Sequence, residues 1–137
     1  MSGNNGPPAD HEPRGRTTSE DIRARRESLS EDDRAAVEET VAELLDVLGK
    51  THAMAVLSEF AVAEEPLRFS DLQSTLDVPP NTLSTRLSEL TEAGLLVRES
   101  HDEVPPRVVY EPTEKAEGLF PAFGYLHEWA IEQATDR

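Results

Sequence analysis

Residues 70–93 carry two short helical patterns around a proline turn, and this pairing limits the fold more than any other feature. Ser70-Asp71-Leu72-Gln73 reads as a capping box, with a Ser cap and a Gln three residues on. The helix it opens ends near Leu76. Asp77-Val78-Pro79-Pro80 is a turn, and Pro80 suits the first position of the next helix, where a missing N–H costs nothing. That helix runs to about Ala93, and Gly94 closes it. Leu83, Leu87 and Leu90 fall on one side and define its buried stripe.

The flanking segments complete the pattern. Leu95–Ser100 reads as a strand, His101–Pro106 as a turn and Arg107–Tyr110 as the return strand. Upstream, Ser30 caps a helix with Glu31, Asp32 and Asp33 at its positive end. Val37, Val41, Leu44, Leu45 and Leu48 form its apolar stripe, and Gly49 stops it. A second helix covers about Thr51–Val62, and Leu67-Arg68-Phe69 can make only a very short strand. Thr113 can cap a final helix over about 114–134. Leu119, Phe123, Leu126 and Ala130 line one face of it, and Pro121 is expected to kink or split it. The expected fold is mainly α with a small β-wing, a winged helix-turn-helix. Residues 1–29 are expected to be a flexible tail with a short helix near 20–28, begun at Ser19. Residues 30–134 form the domain, with the helix-turn-helix at about 70–93, the wing at about 95–110 and the last helix at about 114–134.

With 137 residues the chain suits one small domain, and a large two-domain enzyme is excluded. It has no cysteine, which removes disulfides, thiolate metal sites and thiol chemistry. No apolar run suggests a membrane span, and the N-terminus lacks a secretory core, so a cytoplasmic location is expected. The four histidines, His11, His52, His101 and His127, are scattered. His101-Asp102-Glu103 reads as a solvated turn rather than a metal site, and His52 as a core residue rather than a sensor. No catalytic, cofactor or metal site is expected, and the chain is not read as an enzyme.

The net charge is -15, from 28 acids and 13 bases. Its distribution is uneven: residues 31–66 carry -8, whereas residues 67–110 carry -3 and hold Arg68, Arg86, Arg98 and Arg107. Only two lysines occur. Many acids with almost no lysine is the balance of proteins from salt-loving organisms, and a halophilic archaeon is the expected source.

Four stretches carry a family resemblance: Leu67–Leu72, Leu83–Leu90, Ala93–Arg98 and Val104–Tyr110. With Leu119, Pro121 and Trp129 they closely resemble the HxlR family of winged-helix transcriptional regulators, relatives of the MarR type. Val104-Pro105-Pro106-Arg107-Val108-Val109-Tyr110 is the most specific part, and the likeness spans about Leu44 to Ala130. It implies a homodimer on promoter DNA, joined by its terminal helices, with Val37, Val41, Leu44, Leu119, Phe123, Leu126 and Trp129 at the interface. The chain departs from the family in three places. The sensing cysteine near the N-terminus is missing. The Gly-Lys-Trp run becomes Gly49-Lys50-Thr51-His52. The Ser and Lys flanking the turn proline become Pro79 and Asn81.

On this reading the helix at about 80–93 enters the major groove. With its leucine stripe buried, Asn81, Thr82, Thr85, Ser88 and Glu89 point outward, and Ser84 and Arg86 lie on the flanks. Asn81 can bond adenine bidentately; Thr82 and Thr85 can meet a thymine methyl or a base edge. Arg86 has two open roles, phosphate contact and an ion pair with Glu89 three residues on. Ser70 and Arg68 suit phosphate at a helix start. Arg98 and Arg107 bracket the wing and suit phosphate or a minor groove, while Arg98 can instead pair with Glu99 or Asp102. Pro105-Pro106 would stiffen the wing. The arginines of residues 1–30 are matched by equal numbers of acids and read as a solvated tail. The DNA partner is double-stranded and roughly palindromic, with half-sites one or more helical turns apart. The rival function is a winged-helix module that recruits transcription components without reading bases. The acidic charge favours it, and the arginines around the wing oppose it.

Overall fold

A computed structural model describes residues 18–135. The chain divides into two compact units between Val41 and Ala42.

In the first unit, α1 spans Ser19–Glu27. Its cap is Thr18, one residue before the expected Ser19. Asp21 N–H donates to Thr18 Oγ1 at 3.1 Å, and Thr18 N–H donates to Asp21 Oδ2 at 3.1 Å. The bond from the Thr18 backbone holds the Asp21 carboxyl below its usual range. α2 spans Glu31–Leu48 and begins as expected, with Asp33 N–H donating to Ser30 Oγ at 3.1 Å. Arg26 pairs with Glu38 at 3.0 Å, and Arg34 donates to the Leu29 carbonyl at 3.3 Å.

The second unit begins within α2, at Ala42, and holds the remaining elements. α3 covers Ala53–Val62, α4 Phe69–Thr75 and α5 Pro80–Glu92. Strands β1, Leu96–His101, and β2, Arg107–Pro112, pair antiparallel with Leu96 opposite Pro112 and His101 opposite Arg107. α6, Glu114–Glu117, and α7, Phe120–Thr135, follow. The core joins Val56, Leu57 and Phe60 of α3, Leu72 of α4, and Leu83, Leu87 and Leu90 of α5 with Leu95, Leu96, Ala116 and Phe123. Val78, 7% exposed, pins the turn between α4 and α5 to this core.

Two expectations are corrected here. The cap of α4 is Arg68, not Ser70, and no Ser70–Gln73 box forms. Instead the Arg68 N–H donates to Asp71 Oδ2 at 2.8 Å. The cause is long-range. Leu67 exchanges two backbone bonds with Tyr110, at 2.9 and 2.8 Å, so the extended segment ends at Leu67 and the helix starts straight after Arg68. The helix expected over about 114–134, kinked or split at Pro121, is two helices, and the break falls at Gly118-Leu119 instead. Pro121 is the second residue of α7, where its missing N–H has no intrahelical acceptor to lose.

Candidate nucleic-acid interface

The leucine stripe sets the orientation of α5. Leu83, Leu87 and Leu90 are each 0% exposed, so the opposite side must face solvent. Asn81, Ser84, Thr85 and Ser88 are exposed, and Thr82 is half-buried on one flank. Thr85 Oγ1 donates to the Asn81 carbonyl at 3.0 Å, and its hydroxyl oxygen keeps its capacity to accept.

Both ends of α5 are fixed. At its start Pro80 is the first residue, and Leu83 N–H donates to the Pro79 carbonyl at 2.9 Å. At its end Gly94 takes φ +80°, a conformation that glycine adopts without a Cβ clash. Gly94 N–H reaches the Thr91 carbonyl at 3.0 Å and Leu95 N–H the Leu90 carbonyl at 2.9 Å, a Schellman closure. Thr113 Oγ1 then donates to the Gly94 carbonyl at 2.7 Å, and Lys115 Nζ to the Ala93 carbonyl at 2.9 Å. The start of α6 therefore ties down the last carbonyls around α5.

A cleft of about 500 Å³ separates α5 from the wing, lined by Ser84, Thr85, Ser88, Glu92, Arg98 and Tyr110 among others. Arg98 is exposed at this cleft and has no ion pair among the described residues. Arg107 pairs with Glu103 at 3.5 Å across the wing turn. Arg68 and Ser70 are exposed at the start of α4. Val104 at the wing tip is fully exposed, and the Val104–Pro105 peptide is cis. Of the expected N-terminal arginines, Arg14 and Arg16 lie outside the described residues.

Of the two roles open to Arg86, the structure contains the ion pair with Glu89. Its Nη1 lies 3.1 Å from Glu89 Oε1, and its Nε donates to the Thr51 carbonyl at 2.8 Å, with the side chain only 16% exposed. Lys50, which the sequence reading passed over as a contact, reaches Glu89 Oε2 at 2.9 Å. Lys50 and Glu89 are 39 residues apart in sequence, so no local spacing could reveal the pair. The bond from Lys50 holds the Glu89 carboxyl below its usual range; burial opposes this, and the charges of Lys50 and Arg86 add to it. A carboxyl lowered on folding stabilises above its unfolded range and loses that contribution as pH falls through its folded value. We therefore expect the stability difference between wild type and Glu89→Gln to be present at neutral pH and to vanish in acid. Thermal melts from neutral to acid pH would check this.

His52 does not enter the core as expected. It is half-buried at the head of α3 with φ 71°, a conformation for which His is among the better-tolerated residues. His101 Nε2 lies 4.0 Å from Glu99 Oε1. No set of three metal-ligating side chains gathers among the described residues. No helix there is long and apolar enough to cross a membrane.

The residues implied at a dimer interface differ in exposure. Val37, Val41, Leu126 and Trp129 are 41–55% exposed. Leu44 and Leu119 are half-buried against the core, and Phe123, 6% exposed, lies inside it. Phe123 therefore serves the interior of its own chain. Sequence reasoning did not single out Tyr125 and Ile131, which are also exposed on α7.

A helix pair around a tight turn, followed by a two-stranded wing, defines a winged helix-turn-helix protein. The chain belongs to the HxlR-like helix-turn-helix family, whose model matches residues 47–137. An uncharacterized HTH-type transcriptional regulator of Halalkalibacterium halodurans is 34% identical over 93 residues, covering 67% of this chain and 81% of that one. Another from Mycobacterium tuberculosis is 35% identical over 96 residues, covering 69% of this chain and 58% of that one. Among solved structures, a protein of Enterococcus faecalis assigned to the MarR family of transcriptional regulators matches with TM-score 0.62 and 26% identity, over 79% of this chain and 94% of its own. The reduced transcriptional regulator YodB of Bacillus subtilis matches with TM-score 0.60 and 25% identity, over 69% of this chain and 91% of its own. Both the family and these relatives are regulators of transcription.

Proposed function

We propose that the chain binds double-stranded promoter DNA sequence-specifically, as a homodimer, with α5 in the major groove. The observation that carries this is the outward face of α5. Exposed Asn81, Ser84, Thr85 and Ser88 stand over a fully buried leucine stripe, on a helix fixed at both ends. A polar face held this firmly presents hydrogen-bonding groups in one geometry, which base reading requires. Arg68, Ser70 and Arg98 suit phosphate contacts around it, and Thr82 suits a base edge. Arg107 can reach phosphate only in exchange for Glu103. Arg86, held by Thr51 and Glu89, positions the helix.

Dimerisation is supported by what the helices leave exposed. α7 buries only Phe123 of its 16 residues yet carries Leu126, Trp129 and Ile131 on its surface, and α2 buries none of its 18. Helices with apolar residues and so little burial are stable when a partner covers them. A two-fold dimer would read a roughly palindromic site. The acid excess fits a salty cytoplasm, where counterion release adds little to affinity and hydrogen bonds and shape carry more of it.

The test is sequence discrimination. Asn81→Ala and Thr85→Ala are expected to cost about 1–3 kcal/mol each in preference for the sequence that the wild type selects from a randomised pool. Affinity for random duplex should stay unchanged. Competition binding measures both. A protein-recruiting module would select no sequence at all, and neither substitution would alter its binding to DNA.

A further inference from the structure

Glu89 lies on the side of α5 that carries Thr82, two helical turns earlier, and it neighbours Thr85, one turn earlier. Both its oxygens are occupied, Oε2 by Lys50 and Oε1 by Arg86. A helix about 10–12 Å across nearly fills a major groove about 12 Å wide, so its flanks come against the phosphate walls. A bare carboxylate on such a flank would repel DNA, and a lysine or arginine there would bind phosphate whatever the sequence. Here the acid and the cations cancel most of each other's effect.

The two cations are held differently. Arg86 is also fixed through Nε to the Thr51 carbonyl, and its side chain is mostly buried. The Lys50 side chain is 47% exposed, and Glu89 is its hydrogen-bond partner. Lys50 is thus the cation that loss of the Glu89 charge would release. The wing repeats the device, since Glu103 engages Arg107.

We propose that Glu89 is an internal competitor for phosphate: by holding Lys50 and Arg86 in ion pairs beside the reading face of α5, it keeps attraction for DNA of arbitrary sequence low. Discrimination then falls to the polar side chains of that face. This rests on the reading of α5 as the DNA-binding helix.

The test uses the full chain and a fluorescent duplex of randomised sequence, titrated between about 50 and 200 mM KCl. Glu89→Gln is expected to bind this duplex about tenfold tighter near 0.1 M salt and to steepen the slope of log K against log salt by about one, the signature of one added phosphate contact. Adding Lys50→Met to Glu89→Gln should return both quantities to wild type. Glu92→Gln removes the same charge from the same helix but releases no cation, so its slope should match wild type. A single cooperative thermal transition well above the temperature of the binding assay shows that each variant is folded, whatever stability Glu89→Gln loses with its ion pairs. Glu89→Gln binding no tighter than Glu92→Gln would overturn the proposal, as would a double variant that keeps the gain. Failure of every form, wild type included, to bind any duplex at the lowest salt would remove the DNA-binding reading itself, and the competitor with it.

Discussion

Leu87→Ala is expected to lower the unfolding free energy by about 2–5 kcal/mol, the cost of a cavity at a fully buried leucine. A domain of this size has about 5–15 kcal/mol in total, so the loss is a large share of it. The melting temperature should fall by at least about 8 °C, since 1 kcal/mol shifts a domain near 100 residues by about 4–8 °C. Leu87 is the middle residue of the stripe that seats α5 in the core against α3 and β1, so the substitution loosens the seat of the reading face. Below the new midpoint the variant should still bind DNA, with a lower preference for the selected sequence. Melting followed by circular dichroism, with binding measured on the same samples, checks both effects.

Trp129→Glu is expected to abolish the proposed dimer. Trp129 is 55% exposed and Leu126, three residues earlier, is 47% exposed. A buried aromatic anchor in an interface is typically worth at least about 2 kcal/mol, and a glutamate adds the cost of burying a charge. The dimer dissociation constant should therefore rise at least about 30-fold, since each 1.4 kcal/mol is a factor of ten. The side chain is outside the core, so the melting temperature of the chain itself should change little at concentrations where wild type is also monomeric. Sedimentation across a concentration series reads the assembly directly. Affinity for the selected palindrome should fall with it, because one half-site contributes only part of the contacts.

Most of the elements could be read from local pattern. The leucines of α5, the prolines before it and Gly94 after it are local signals, and the helix formed where they pointed. The wing was legible for the same reason, although its strands run one or two residues further than their patterns, to His101 and Pro112. The misses involve partners distant in sequence, or a rule that depends on position. Ser70 looked like a cap because it precedes Gln73 by three residues. The bridge between Leu67 and Tyr110 moved the helix start, and a pairing 43 residues apart leaves no local trace. The break expected at Pro121 falls before it, at Gly118-Leu119, and Pro121 sits inside α7, because the first turn of a helix tolerates proline. At the site, outward placement of Asn81, Thr85 and Ser88 followed from the buried stripe alone, whereas Thr82 and Glu89, expected outward, are half-buried and Ser84, expected on the flank, is exposed. The partners of Arg86 were only half legible. Glu89 is its neighbour on the helix, whereas Thr51 and Lys50 arrive from the connection between α2 and α3.

The central claim is that the outward face of α5 reads base sequence. The most direct measurement is repeated selection of duplexes by the purified full chain from a fully randomised pool, in dilute and in molar KCl. The account predicts that one roughly palindromic sequence emerges, that its half-sites lie about one or more helical turns apart, and that the complex persists in molar salt. A pool that stays random through every round, at either salt, would contradict it.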